Sequence, residues 1–356
     1  MTTLAPDDRS EAAASFIRAA GWGDAARSLL AGDASNRRYD RLSSGAGGWG
    51  AVLMDAPSER GEDLGLFLAF TGHLRALGFS APEVYAADPD AGFAIVEDLG
   101  DDLYARVCAA DPALEAELYA AAVDLLAALR RAPPPEKVRG GGCERPVSPY
   151  DGATLRREAR LVAEWWAPAA SGAAPSDLAD DLGADLDAMI DIACADVEAD
   201  RSTLALRDYH AENLLWLPGR TGAARVGLID YQDALAGAAA YDLVSLLEDA
   251  RRDTSPALRA AMRDRYAEQA GVADRAAFDA AYAALGAQRN LKIVGIFARL
   301  WVRDGKAGYL DLIPRVWAHL ERDLSHPALG ALAAFVAAHI PAPEPAALAR
   351  VRAARS

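Results

Sequence analysis

Lysine is almost absent from this chain. Of its 37 basic residues only Lys137, Lys292 and Lys306 are lysines, and the other 34 are arginines. The first 136 residues contain no lysine, so a positive charge needed there has to come from arginine. The 52 acidic residues outnumber the basic ones and give a formal net charge of -15. This balance argues against non-specific binding to nucleic acid or to an anionic membrane, because both need a basic surface.

Cysteine and long apolar runs are also scarce. The three cysteines are far apart and form no Cys-x-x-Cys pair, which argues against a disulfide framework or a zinc site and suits a reducing compartment. The first fifteen residues lack the basic and apolar regions of a signal peptide, and the weakly polar stretch 331–340 is too short to span a bilayer. We therefore expect a cytoplasmic protein with no membrane or nucleic-acid partner, and nothing in the sequence indicates an obligate protein partner.

A phosphate-binding loop of the GxxxxGK[ST] type is missing too. The one Gly-Lys pair, Gly305-Lys306, is followed by Ala307 rather than Ser or Thr. If the chain binds a nucleotide, the phosphates must be held by a different type of segment.

The order of secondary-structure signals restricts the fold class. Short strand-like runs and two helices fill residues 1–97, a short hinge follows at about 97–100, and helical patterns dominate residues 98–356. Five prolines and three consecutive glycines between residues 132 and 149 predict an exposed loop. We expect an α+β protein with a small β-rich N-lobe (1–97) that binds nucleotide and a larger, mostly helical C-lobe (98–356).

Two motifs carry a recognisable chemistry. In Arg207–Asn213 an Asp, Asp208, is followed five positions later by Asn213, the spacing with which kinases place a proton acceptor and a magnesium ligand. In VGLID an apolar strand ends at Asp230, 17 residues after Asn213, where an acid can bridge magnesium to phosphates. A helix cap at Asp208 and an ordinary strand-ending Asp230 are the alternatives, but the two motifs together predict a kinase centre.

The segments around these motifs resemble a known family. LRDYHAENLLWL and VGLIDYQDALAGAAAYDLVSLLED look like the aminoglycoside phosphotransferase family. Within it the chain is more similar to the sugar kinases of cell-wall recycling, which phosphorylate the anomeric hydroxyl of N-acetylmuramate and N-acetylglucosamine. The stretches that carry this closer resemblance are GDASNRRYDRL, VLMDAP, IVEDLGDDLY and QRNLKIVGIFARLWVRDGK.

The resemblance implies a protein-kinase-like two-lobed fold, ATP as phosphoryl donor, Mg²⁺ as cofactor and a sugar as acceptor. It makes Asp208 the catalytic base and Asn213 and Asp230 the metal ligands. It gives His210 and Asp242 structural roles in shaping and bracing the loop that carries Asp208. The family often has a histidine two residues before the catalytic aspartate, whereas this chain has Leu206.

The nucleotide would lie against two segments of the N-lobe. Ser35, Asn36 and Arg37 fall between two strands and could offer donors to phosphates, although a simple hairpin turn has the same composition. The backbone carbonyl of Glu97 and the backbone N–H of Leu99 are the candidates for pairing with adenine at the hinge.

The small-lobe lysine that usually holds the phosphates is missing. Met54 stands where it is expected, and its usual glutamate partner is absent from the next helix, with Glu62 just before that helix. An arginine then has to supply the charge, or magnesium acts alone. We expect Arg41 to do so, with Arg37 and Arg38 as the next choices.

The acceptor site is less well specified. Arg289, Lys292 and Arg299 share one face of a predicted helix and could receive an anionic acceptor, or could form a solvated or salt-bridged face. Tyr231, Gln232 and Asp233 could bind sugar hydroxyls. A kinase of another small molecule, such as an aminoglycoside or an amino alcohol, and a nucleotide-binding pseudokinase remain the alternative functions.

Overall fold

The computed structural model describes residues 6–32, 37–43, 50–172 and 175–354. By contacts between residues the chain divides into two units. Unit 1 comprises residues 1–125, 135–147 and 212–234, and unit 2 comprises residues 126–134, 148–211 and 235–356. None of the described helices has both the length and the apolar character needed to cross a membrane.

Unit 1 is built on an antiparallel five-stranded sheet. Its strands are β1 (Ala26–Gly32), β2 (Arg38–Ser43), β3 (Gly50–Asp55), β4 (Val84–Asp88) and β5 (Phe93–Glu97), in the order β1-β2-β3-β5-β4. The central strand β3 is buried along most of its length, as expected for a strand flanked on both sides. The helix α1 (Pro6–Ala19) packs on the sheet, where Ala13 and Ile17 meet Leu53 and Ile95.

The helix α2 (Leu64–Ala76) follows β3. The Asp63 side chain caps its first turn by accepting a hydrogen bond from the Leu66 N–H at 3.1 Å. The other helices that contribute to unit 1 are α3 (Tyr104–Ala110) and α4 (Glu115–Arg130).

Residues 137–146 form a hairpin, whereas the sequence predicted an exposed loop there. The strands β6 (Lys137–Gly140) and β7 (Cys143–Pro146) pair antiparallel and lie against α2. The approach is very close: a Cβ on Gly140 would lie 2.0 Å from the Leu68 carbonyl oxygen, and a Cβ on Gly72 would lie 2.4 Å from the Arg139 carbonyl oxygen. Glycine here permits backbone contact rather than marking an open loop.

Four short strands surround the two sequence motifs and form two separate two-stranded sheets. In unit 1, β9 (Leu214–Trp216) pairs with β10 (Val226–Leu228). In unit 2, β8 (Thr203–Ala205) pairs with β11 (Leu235–Gly237). Each pairing is antiparallel, so it brings residues that are far apart in the chain to the same end of a strand pair. Of these two pairs, only β9 and β10 are consecutive strands and form a hairpin.

Unit 2 is otherwise helical. Its long helix α10 (Arg275–Val302) is buried through its middle and contacts several of the others. The remaining helices are α5 (Gly152–Ala159), α6 (Ala167–Ser171), α7 (Pro175–Cys194), α8 (Ala240–Leu247), α9 (Pro256–Gln269), α11 (Ile313–Leu324), α12 (Gly330–His339) and α13 (Pro345–Ala353), with a π-helical turn at Val162–Trp166. The expected α+β class is confirmed, while the lobe boundary at residue 97 stays a prediction.

Candidate functional site

The β9–β10 hairpin of unit 1 brings Asn213 beside Asp230. Leu214 is the register partner of Leu228, so the residues just outside this pair lie side by side. The Ile229 N–H donates to the Asn213 carbonyl oxygen at 3.3 Å, and the Asn213 side-chain amide lies 3.5 Å from the Asp230 carboxylate. Antiparallel pairing thus joins two residues that are 17 positions apart.

These two side chains suit a hard cation. An amide oxygen and a carboxylate are oxygen ligands of the kind that Mg²⁺ takes, and Mg²⁺ usually keeps water or phosphate oxygens in its other positions. The Asp230 side chain is 31 % exposed, which leaves room for such ligands. Asp230 has a φ of 59°, a left-handed conformation that is uncommon outside glycine and often found at functional positions.

A cavity of about 360 Å³ in unit 1 opens onto this pair. Its lining is mainly apolar, its polar lining residues include Asn213, Asp230 and Gln232, and the chain segment 97–101 also lines it. A mostly apolar cavity with a few convergent polar groups is typical of a small-molecule site. The apolar lining residues are Leu30, Tyr39, Val52, Met54, Phe67, Pro82, Val96, Leu99, Leu103, Leu215 and Ile229.

The predicted hinge residues line the same cavity. Glu97 ends β5, and its backbone N–H donates to the Glu83 carbonyl oxygen at 2.7 Å. Its side chain pairs with Arg220, so the Glu97 carboxylate is already engaged within the protein. Leu99 follows two residues later, also on the cavity lining. Their backbone contacts with a nucleotide stay predictions.

The arginines near the predicted phosphate loop have different partners. Arg41, the expected replacement for the missing lysine, contacts Asp98 at 2.7 Å and Asp101 at 2.9 Å. Arg37 instead places a guanidinium nitrogen 2.9 Å from an Asp230 carboxylate oxygen. Of these two arginines, Arg37 is the one that contacts the predicted metal ligand Asp230. Ser35 and Asn36 lie outside the described residues.

Tyr231 packs inside unit 1. Its side chain is 1 % exposed, its ring stacks on Phe67, and its hydroxyl lies 2.7 Å from the hydroxyl of Thr71. The prediction that Tyr231 binds an acceptor finds no support in this geometry. Gln232 donates to Asp230 at 2.9 Å, and both Gln232 and Asp233 line a second cavity of about 310 Å³.

In unit 2, Asp208 lies in a loop, residues 206–210, that α8 holds from one side. The Asp242 carboxylate accepts hydrogen bonds from the backbone N–H groups of Leu206 (2.6 Å) and Arg207 (2.8 Å). One turn later on α8, the Ser245 hydroxyl donates to the Arg207 carbonyl oxygen at 3.1 Å. Asp242 thus makes the loop contacts expected of a bracing residue.

Arg207 holds the same loop through its side chain. Its φ of 72° is left-handed, which is unusual for a bulky residue. Its guanidinium pairs with Glu158 on α5. Glu158 also accepts a hydrogen bond from the Tyr150 hydroxyl and forms an ion pair with Lys292. Burial alone would raise the pKa of the Glu158 carboxyl, but the charges of Lys292 and Arg207 outweigh this effect and leave the pKa below its usual value. Glu158 was not among the predicted site residues, because nothing in the sequence spacing links it to residue 207.

The basic face of α10 is largely engaged within unit 2. Arg289 is buried and donates to the Ser245 hydroxyl at 2.8 Å, and Lys292 lies 3.1 Å from Glu158. Arg299 is half-buried further along the helix. The ion pair with Glu158 favours the salt-bridged alternative for Lys292, whereas Arg289 is held by a hydroxyl group. An acceptor contact of the three residues stays a prediction.

His210 is also buried in unit 2. Burial lowers the pKa of its imidazole, with the charge of Asp249 acting in the opposite direction. Its Nε2 atom lies 3.5 Å from the Arg251 guanidinium. A neutral, buried ring suits the structural role expected for His210 rather than proton transfer.

Comparison with known proteins agrees with these features. Residues 27–281 match the model of the phosphotransferase enzyme family, abbreviated APH. The chain is 42 % identical to the N-acetylmuramate/N-acetylglucosamine kinase of Caulobacter vibrioides over 94 % of this chain and 97 % of that protein. It is 32 % identical to the protein of the same name from Pseudomonas putida, over 89 % of this chain and 90 % of that one.

Among solved structures, the choline kinase of Cryptosporidium parvum superposes with a TM-score of 0.55. It covers 91 % of this chain and 99 % of its own, at 13 % identity, so the likeness concerns the fold alone. The kinase-like fold expected from the sequence is thereby confirmed. Because the family model matches most of the chain, and relatives align along nearly its whole length, this protein belongs to the phosphotransferase enzyme family.

Proposed function

We propose that this protein transfers the γ-phosphoryl group of ATP to the anomeric hydroxyl of N-acetylmuramate or N-acetylglucosamine. The observation that carries the proposal is the 42 % identity with the Caulobacter vibrioides kinase, which extends over nearly the full length of both chains. The cavity beside Asn213 and Asp230 supports the same activity, since it offers an apolar chamber next to a cation-binding pair. The need for ATP agrees with a cytoplasmic location.

Three residues of the two motifs take part in this reaction: Asp208 acts on the acceptor, and Asn213 and Asp230 act on the metal ion. Asp208 orients the acceptor hydroxyl and takes its proton as the oxygen attacks the γ-phosphorus. A P–O bond to the sugar forms, the bond between the γ-phosphorus and the bridging oxygen breaks, and ADP leaves. Asn213 and Asp230 hold Mg²⁺, which supplies positive charge to the phosphates when it is bound.

The nucleotide base would occupy the apolar cavity of unit 1. Glu97 and Leu99 line this cavity, and the Glu97 carbonyl and the Leu99 N–H would pair with adenine. Such pairing depends on backbone position rather than side-chain identity, so it needs no particular residue type at either position.

An acceptor screen tests this function. ATP consumption would be measured with N-acetylmuramate, N-acetylglucosamine, kanamycin and choline, for the intact protein and for Asp208→Asn. We expect turnover with the amino sugars alone and a decrease in kcat of about 100-fold or more in the variant, because Asn cannot accept the proton. Turnover confined to kanamycin or choline would contradict the assigned acceptor, and equal turnover by the two proteins would contradict the role of Asp208.

A further inference from the structure

The third strand of unit 1 lacks the positive charge that kinase-like proteins place there. Such proteins use a lysine on this strand, paired with a glutamate on the following helix, to hold the α- and β-phosphates. Here β3 carries Met54, whose side chain is 2 % exposed, and α2 contains no glutamate. Because no lysine precedes residue 137, another residue has to supply the charge.

Arg37 combines a buried guanidinium with two acidic partners. Its side chain is 8 % exposed, one nitrogen lies 2.9 Å from Asp230, and another lies 3.4 Å from Glu62. Burying a charged group is costly unless ion pairs and hydrogen bonds compensate. An arginine held in this way is positioned within the protein rather than mobile on its surface.

Arg37 lines the same cavity as Met54, the residue at the position of the missing lysine. Both Arg37 and Met54 line the second cavity of unit 1, together with Glu62. Met54 also lines the larger cavity, which contains Asp230. The charge and its glutamate partner are therefore both present beside position 54, although neither comes from its usual element.

The neighbouring arginines are placed differently. Arg41 contacts Asp98 and Asp101, next to the end of β5. Arg38 is 57 % exposed and contacts Asp40 at 3.1 Å. Neither residue is part of the lining of the two cavities.

We propose that Arg37 binds the α- and β-phosphates of the nucleotide, and that Glu62 holds its guanidinium in position. This inference rests on the proposed kinase function and assigns the phosphate contact within it. Phosphate oxygens would replace Asp230 as the second partner of the guanidinium, which leaves the Asp230 carboxylate available to a metal ion. A guanidinium can contact two phosphate oxygens at once, so the site differs from a lysine site in geometry as well as in residue type.

Binding of ADP and of adenosine, measured by isothermal titration calorimetry, separates the phosphate contact from the rest of the cavity. We expect Arg37→Ala and Arg37→Gln to weaken ADP binding about 10- to 100-fold, the range for a lost hydrogen bond to a charged group. Adenosine has no phosphates, so its affinity should be unchanged. Arg37→Lys should be intermediate, because it keeps the charge but not the two-point contact.

Glu62→Gln should weaken ADP binding several-fold, since the guanidinium loses one ionic partner. The matched control is Arg27→Ala: Arg27 lies on β1 and pairs with Asp40, which also keeps Arg38 as a partner. The control should bind both ligands as the unmodified protein does. Thermal melting shows whether each variant is folded, and Arg37→Gln provides a second neutral substitution if the alanine variant is not.

Two results would overturn the proposal. One is equal ADP affinity in the Arg37 variants and the unmodified protein. The other is a parallel loss of ADP and adenosine affinity, which would indicate damage to the cavity. Neither binding measurement includes an acceptor. A wrong assignment of the amino-sugar acceptor would therefore appear in the acceptor screen and would not change the ADP and adenosine affinities.

Discussion

Lys292 on α10 and Arg207 in the 206–210 loop share one carboxylate, that of Glu158. The Lys292 ammonium lies 3.1 Å from Glu158, and the Arg207 guanidinium pairs with it from the other side. Arg207 is the residue before Asp208, and its left-handed backbone is also held by Asp242 and Ser245. The position of Asp208 therefore depends on an ion cluster whose members are far apart in the sequence.

Replacing Glu158 with Gln tests this dependence. The substitution leaves two largely buried cations without their shared anion, and we expect a loss of stability on the order of 3 kcal/mol. We also expect kcat to fall while the KM for ATP changes little, because the variant disturbs the loop rather than the nucleotide cavity. Urea unfolding and steady-state kinetics measure the two effects.

Arg156→Ala is the control for that variant. Arg156 lies on the same helix, α5, and pairs with Asp191 at the exposed surface. Exposed ion pairs contribute little, so stability should change by less than about 1 kcal/mol and kcat should be unchanged. If Glu158→Gln behaved like this control, the cluster would not position the loop.

The carboxyl of Asp242 should make stability depend on pH. Burial raises its pKa to about 7, although the backbone N–H groups of Leu206 and Arg207 act in the opposite direction. In the unfolded chain an aspartate has a pKa of about 3.9. Between these two values the folded state retains a proton that the unfolded state has lost, so rising pH favours unfolding.

The test is the free energy of unfolding of the intact protein and of Asp242→Asn from pH 4 to pH 8. Relative to the variant, the intact protein should lose stability as pH rises from about 4 to about 7, and the difference should then level off. Parallel curves across this range would show that the Asp242 carboxyl has the same pKa in both states.

Met54→Lys examines position 54 directly. In the intact protein this substitution adds a second buried cation to the lining of the second cavity, which Arg37 also lines. We therefore expect a lower free energy of unfolding. In an Arg37→Ala background the new lysine can face Glu62, so ADP affinity should recover by several-fold relative to Arg37→Ala alone. No recovery in the double variant would mean that position 54 does not face the phosphates.

The close contact between α2 and β6 predicts a stability effect without an effect on catalysis. A Cβ at Gly140 would lie 2.0 Å from a backbone oxygen of α2, so Gly140→Ala should cost about 1 to 3 kcal/mol. Gly219→Ala is the control, since a Cβ there meets nothing within 4 Å. Thermal melting distinguishes them, and equal melting temperatures would show that the hairpin can move away from α2 at no cost.

Local patterns predicted the parts of the structure that depend on neighbouring residues. The strands of unit 1 follow from alternation and turn residues, and the juxtaposition of Asn213 and Asp230 follows from pairing of the two apolar runs between them. Helical spacing placed Arg289 and Lys292 on one face of α10 correctly. It could not show whether that face meets solvent or other helices.

The choice among the arginines could not be made from the sequence for a related reason, and the assignment of Arg41 stays a prediction. Arg37 and Arg41 both lie beside the predicted phosphate loop, and their residue type and spacing do not reveal where each side chain points. Their partners, Asp230 and Asp98, are separated from them by 193 and 57 residues. Ion pairs over such distances depend on the tertiary arrangement, which single-sequence patterns do not contain.

The interrupted chain course of unit 1 has a consequence for synthesis on the ribosome. Its sheet is complete in sequence by residue 97, yet its β9–β10 hairpin comes from residues 212–234. The late segment 212–234 supplies Ser80 with a hydrogen-bond partner at Ala224 and Thr71 with one at Tyr231. A nascent chain that has emerged only as far as residue 211 therefore exposes part of the core of unit 1. If synthesis pauses in this interval, a chaperone can bind the exposed apolar surface.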